Sequence, residues 1–270
     1  MNRKNIFLVP AFLLLLSVII SSCSTVAITG RKQLNIIPDA TMLSMSFQQY
    51  DQFLKENKKS NDATKIQMIN RVGSNIKGAV ERYFAENKMS DRLNGFNWEF
   101  NLVESPEVNA WCMPGGKVVF YTGILPICNG EAGVAVVMGH EVAHAIAEHG
   151  SERMSQGLIT EFGGMALDKA LENKPQQTRT LWMSAFGLGA QLGVLLPFSR
   201  LHESEADHLG LIFMAMAGYD PNNAVDFWQR MSQQKGGQAP PEFLSTHPSD
   251  ATRIAEIRKL LPSALKYYSK

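Results

Sequence analysis

Val136-Val137-Met138-Gly139-His140-Glu141-Val142-Ala143-His144 is the stretch on which the reading of this chain turns. It lies in a segment from Glu131 to His149 that reads as one helix with very little charge, ended by Gly150. A surface helix would carry more charge, so this one is read as central and buried. Helical residues are about 100° apart. His140 and His144 therefore project from one face, one turn apart, and can bind one metal ion. Glu141 sits beside them, within reach of a water at that ion, and can take its proton as a general base. Zinc suits two imidazoles and a carboxylate, and it lowers the pKa of water to about 7. The bland alternative is two satisfied core histidines and a salt-bridged glutamate. Ionisable groups in an apolar helix are costly without partners, and nothing structural calls for three of them there.

A third ligand has to come from elsewhere. His149 is nine residues after His140. On a continuous helix that spacing turns it to the opposite side, which leaves it a supporting or surface residue. The better source is His202-Glu203-Ser204-Glu205-Ala206-Asp207. Glu203 and Asp207 are four apart and share a face. One carboxylate can bind the metal while the other orients a ligating imidazole through its free N–H. Glu205 points away from that face. The competing reading is a solvated acidic first turn, common at helix N-termini.

Outward from the motif, 270 residues with 45% hydrophobic content suit one or two domains with a real core. A net charge of +1 gives no electrostatic footprint for nucleic acid, which is excluded as a partner. Arg3 and Lys4, the apolar run Ile6–Ile20 and Ile20-Ser21-Ser22-Cys23 describe an export signal. The Cys after small residues resembles a lipobox, with cleavage before Cys23 and lipid on its sulfur. The alternative is an uncleaved anchor, although a span needs about 20 apolar residues. The reading is a lipoprotein signal at 1–22, a polar tether at 23–37 and the main domain at 38–270. Cys112 and Cys128 then form a disulfide in an oxidising compartment or remain buried thiols.

The rest reads as helices at Ser44–Glu56, Lys65–Phe84, Met154–Leu171, Thr180–Leu196, Glu203–Met216, Asn222–Gln234 and Ser249–Leu260. Ser249 caps the last of these, and Gly236–Pro241 is a flexible loop. Trp98–Val103 and Lys117–Tyr121 read as strands of one small antiparallel sheet, with Pro114-Gly115-Gly116 as a turn. The fold class is mainly α with a small antiparallel β-sheet (α+β).

These motifs together resemble the zinc peptidases that include the CAAX prenyl protease and HtpX. The resemblance rests on His140–His144, Glu203–Asp207, Thr29–Leu34, Asn109-Ala110-Trp111, Pro114-Gly115-Gly116, Gln191–Arg200, Ser245–Pro248 and Arg253-Ile254. It is greatest to the exported branch, with BepA and LoiP and the mitochondrial Oma protease as relatives. It implies a zincin-like fold with one Zn2+ per chain held by His140, His144 and Glu203. Glu141 is then the base, Asp207 supports one of the two histidines, and Arg253 lies near the site, where it can stabilise an oxyanion. It also implies His247 as a further, inhibitory ligand. Absent that role, His247 caps the last helix. The segment holding Asn109, Ala110, Gly115 and Gly116 becomes an edge that pairs with an extended peptide, or an ordinary hairpin.

The resulting expectation is a zinc endopeptidase on the periplasmic side of the cell envelope. It is lipid-anchored through Cys23, with the outer membrane favoured, and acts on unfolded or misassembled envelope proteins, with envelope assembly machinery as a partner. One rival is a chaperone-like assembly factor whose zinc site is closed by His247. The other is an integral-membrane peptidase with residues 180–196 across the bilayer.

Overall fold

The computed structural model describes residues 23–190, 196–234, 242–247 and 251–269. The export signal, Gln191–Leu195, the Gly236–Pro241 loop, Pro248 and the Ser249 cap lie outside the described residues. The described chain groups into two compact units. One holds residues up to Asp39 together with Glu148–Ser199; the other holds Ala40–Ala147 together with Arg200–Lys270.

In the first unit, β1 (Cys23–Thr25) pairs antiparallel with β2 (Lys32–Leu34). The stretch read as a featureless tether is therefore an ordered hairpin. Its strands are too short and polar to show an alternating pattern, and side chains hold it instead. Arg31 grips Glu152 of α5 (His149–Ala170) through two contacts, at 2.8 and 3.0 Å. Gln33 and Asn35 both donate to Glu148, and the Ile36 N–H donates to Ser155 Oγ at 3.1 Å. After α5 the chain turns back as α6 (Gln176–Ala190). Arg179 clamps Asp168 at 2.6 and 2.7 Å, and the ring of Phe186 lies on Gly163 and Gly164.

The second unit opens with α1 (Asp39–Glu56) and α2 (Ala63–Glu86). Asp62 caps α2 by accepting the Lys65 N–H at 3.1 Å. Ile69, Val72, Ile76, Val80 and Phe84 bury one face of α2, as the three- and four-residue spacing predicts. The sheet holds β3 (Glu99–Val103), β4 (Ala110–Met113) and β5 (Lys117–Tyr121) in the order β3-β5-β4. The two strands read from sequence do pair, but in parallel: Glu99 lies opposite Lys117 and Val103 opposite Tyr121. The antiparallel partner of β5 is β4, across the turn at Gly115 and Gly116. β5 is central and buried along its whole length. Its one charge, Lys117, pairs with Glu99 and lies over the rings of Phe47 and Tyr50.

A short helix, α3 (Leu125–Cys128), ends at left-handed Asn129 and leads into α4 (Glu131–Ile146). Every residue of α4 from Gly133 onward is buried. The sequence reading carried this helix to His149. It stops at Ile146 because Glu148 takes a left-handed conformation, φ 58°, and His149 opens α5. α7 (Leu196–Met216), α8 (Asn223–Gln233), α9 (Glu242–Thr246) and α10 (Ala251–Ala264) follow. Cys112 and Cys128 are free thiols, which settles the disulfide question between them. Burial pushes Cys128 up to about 12. Among the described residues no single helix is long and apolar enough to cross a membrane. The bent pair Thr122–Cys128 and Glu131–Ile146 passes by composition, but its long helix is buried in the second unit.

Candidate metal centre

Two glycines bring α4 and α7 together. A Cβ on Gly139 would stand 2.7 Å from the Gly210 carbonyl oxygen, and one on Gly210 would stand 2.8 Å from the His140 nitrogen. Backbone therefore meets backbone at the residue before His140, one turn beyond Asp207. The crossing sets the imidazoles of α4 against the carboxylates of α7.

His140, His144, Glu203 and His247 converge there, all buried. His140 Nε2 lies 3.1 Å from His144 Nε2, 3.2 Å from His247 Nδ1 and 3.3 Å from Glu203 Oε2. Glu203 Oε1 lies 3.3 Å from His144 Nε2 and 2.9 Å from His247 Nδ1. Metal–nitrogen bonds of about 2.0–2.1 Å in a tetrahedron put ligand atoms about 3.3 Å apart. The spacing is therefore one that could hold a metal ion among the four. Among the described residues this is the one such group.

The electrostatics agree. Asp207 Oδ1 lies 3.0 Å from His140 Nδ1. An ionised carboxylate only accepts, so Nδ1 donates its proton to Asp207 and Nε2 is the nitrogen that faces the cluster. Burial alone would lower His140, but bonds to Asp207 and Glu203 outweigh it and hold the group up at about 9. Burial holds His144 well below the usual imidazole range. Glu203 is held far below the usual carboxylate range: burial opposes this, but bonds from His140, His144 and His247 prevail. Three imidazole nitrogens and a carboxylate facing one another need a cation between them, and metal ions compete with protons for such a place.

Glu141 lies beside this group. Its Oε1 is buried without a hydrogen-bond partner, 3.4 Å from His247 Nε2. Burial raises its carboxyl above the usual range, as suits a group that both takes and returns a proton. Asp207, read as supporting either histidine, supports His140. Arg253 forks onto Asp207 at 2.7 and 2.9 Å and reaches Glu203 Oε2 at 3.0 Å. Its guanidinium lies 3.5 Å over the Trp228 ring. Arg253 thus touches the carboxylates of both Asp207 and Glu203.

His247 reaches the cluster from the end of α9, its N–H bonded to the Phe243 carbonyl at 2.8 Å. Phe243 is fully buried, stacks on Trp228, and donates its own N–H to Val108 O at 3.1 Å. Val108 precedes Asn109 and Ala110, where the outermost strand β4 begins. β4 packs against α4, and burial first and then the Glu141 carboxylate raise the Cys112 thiol. Gly115 and Gly116 serve the turn: they hold φ of +85° and +81°, and a Cβ on either would strike Phe47 or Trp98. His149 is buried but is not one of the four converging residues, and Glu205 is buried outside the group. The sequence reading missed the Gly139–Gly210 contact and the Phe243 anchor. A glycine inside each ligand-bearing helix was the available signal.

Residues 71–261 match the model of peptidase family M48. The chain is 38% identical over 194 residues to the mitochondrial metalloendopeptidase OMA1 of Schizosaccharomyces pombe, covering 70% of this chain and 53% of that protein. It is 30% identical over 244 residues to human mitochondrial metalloendopeptidase OMA1, covering 88% and 46%. It is 26% identical over 181 residues to the beta-barrel assembly-enhancing protease of Escherichia coli, covering 60% and 34%. The chain thus spans about half the length of the first of these relatives and less of the others. With the His140–His144 pair on α4, Glu203 on α7 and a family match over most of its length, the chain belongs to peptidase family M48.

Proposed function

We propose that this chain is a zinc-dependent endopeptidase of a bacterial cell envelope, held to a membrane through Cys23 and acting on unfolded or misassembled proteins. The carrying observation is the convergence of His140, His144, Glu203 and His247 beside the unpartnered Glu141 Oε1. The names of the relatives support peptide hydrolysis, and the assembly-enhancing protease supports an envelope role. Zinc, when bound, supplies Lewis acidity that polarises a carbonyl and makes water a nucleophile near neutral pH. Glu141 accepts the water's proton at its free oxygen and hands it to the leaving amine. Asp207 keeps His140 Nε2 aimed into the cluster, and Arg253 keeps Asp207 and Glu203 in place. β4 offers an edge to an extended substrate, reading backbone more than side chains.

His247 fills the place a substrate oxygen would need, so the site rests closed and opens when α9 releases it. A chaperone-like assembly factor with a permanently closed site draws on the same fourth ligand. The test compares the full-length protein, Glu141→Gln and His247→Ala on an unfolded protein substrate, with bound zinc quantified in each. The peptidase reading expects zinc in all three, cleavage by the parent, none by Glu141→Gln, and faster cleavage by His247→Ala. Zinc retained with no cleavage by any of them selects the chaperone-like reading. Absence of zinc from all three ends the metal-site reading.

A further inference from the structure

Six large apolar side chains stand out from two consecutive helices of the first unit. They are Ile159, Phe162 and Met165 on α5, and Leu181, Trp182 and Leu188 on α6, each between 43% and 69% exposed. Isolated exposed apolar residues are ordinary, but this many on one helical hairpin point to contact with something apolar. The helices are held together from within, by the Arg179–Asp168 clamp and by Phe186 against Gly163 and Gly164. Leu181 and Leu188, seven residues apart, share a face of α6, and Phe162 and Met165 are neighbours on α5.

The way the chain enters this unit indicates what covers the hairpin. The residues before Cys23 are a basic start and the apolar run Ile6–Ile20. Cys23 is the first residue of β1, and the β1–β2 hairpin is fastened to the start of α5 by the Arg31–Glu152 pair and the bonds to Glu148 and Ser155. At about 1.5 Å per residue, Met165 lies only about 20 Å along α5 from Glu152. At the tip Asp168 pairs with Arg179 and Lys169 with Glu172, so that with Lys174 the net charge there is a single positive one. Attraction to an acidic surface is therefore not the driving force. Among the described residues no single helix is long and apolar enough to cross a membrane, and the hairpin suits lying along a membrane surface.

We propose that the α5–α6 hairpin inserts into the interface of a lipid bilayer, with Phe162, Met165, Leu181, Trp182 and Leu188 among the headgroups and upper acyl chains. This rests on the reading that the segment before Ser24 holds the chain to a membrane. The test uses the full chain in phosphatidylcholine vesicles whose acyl chains carry bromine, which quenches nearby tryptophan. Emission of the parent minus that of Trp182→Phe isolates Trp182. The expected result is loss of most of that signal to the brominated lipid, with protection from aqueous iodide. A Phe162→Ser/Leu188→Ser variant should float with the vesicles and keep its zinc, yet lose the quenching. Trp182 emission unchanged by bromine overturns the proposal. Access to iodide would then mean a hairpin free in water, and protection from iodide one covered by protein. A chain that does not float with the vesicles at all overturns the tether reading and this proposal with it.

Discussion

Two helix pairs in this molecule break the usual rule of apolar inside and polar outside, in opposite directions. Where α4 crosses α7, backbone touches backbone at Gly139 and Gly210, and His140, His144, Glu141, Glu203, Asp207 and Arg253 are all buried. Where α5 folds back on α6, one phenyl ring fills the gap and apolar side chains face outward. The first pair is over-determined, since each charge there answers several others. The second, among its described residues, is held by a charged clamp and a phenyl ring. A buried charge is tolerated only with partners, and an exposed apolar cluster persists where something outside the chain meets it.

Substitutions can break or sharpen this contrast. The largest effect belongs to Glu203→Ala, which removes the partner shared by His140, His144, His247 and Arg253. It should lose zinc and cost about 3–5 kcal/mol in urea unfolding, the scale for orphaning a buried charge. Full zinc in that variant would show the cluster to be less interdependent than its distances state. Arg253→Lys keeps the charge but loses the fork onto Asp207, and should cost about 1.5–3 kcal/mol in the same titration. Gly210→Ala should cost about 1–3 kcal/mol by overpacking the crossing, and it should weaken zinc binding measured by competition with a chelator. Unchanged zinc affinity would separate the crossing from the ligands. At the other pair, Phe162→Ser should move stability by no more than about 0.5 kcal/mol, as surface changes do. A large loss there would mean that the hairpin is packed by its own chain.

The sequence was most informative where chemistry demands fixed spacing. His140 and His144 are four apart for a helical reason, and so are Glu203 and Asp207, and all four meet where that reason puts them. His247 was reachable only through resemblance, because nothing local ties position 247 to position 140. The buried stripe of α2 was readable because its period is helical. Strand direction was not: the alternation in Trp98–Val103 and Lys117–Tyr121 is the same whichever way a strand runs, so the parallel pairing of β3 with β5 left no mark. The end of α4 was hidden because Ala147 fits a helix and Glu148 has a Cβ, which argues against the left-handed conformation it adopts. β1 and β2 were hidden because polar side chains, not an apolar face, hold them.

The crossing at Gly139 and Gly210 also bears on how this chain can vary. Glycine is the smallest residue there is, so every amino-acid replacement at either position adds at least a Cβ to a gap of under 3 Å. No neutral first step leads away from either residue, and a change at one cannot be absorbed by shrinking the other. The ligand-bearing helices are therefore locked as a pair in mutational space.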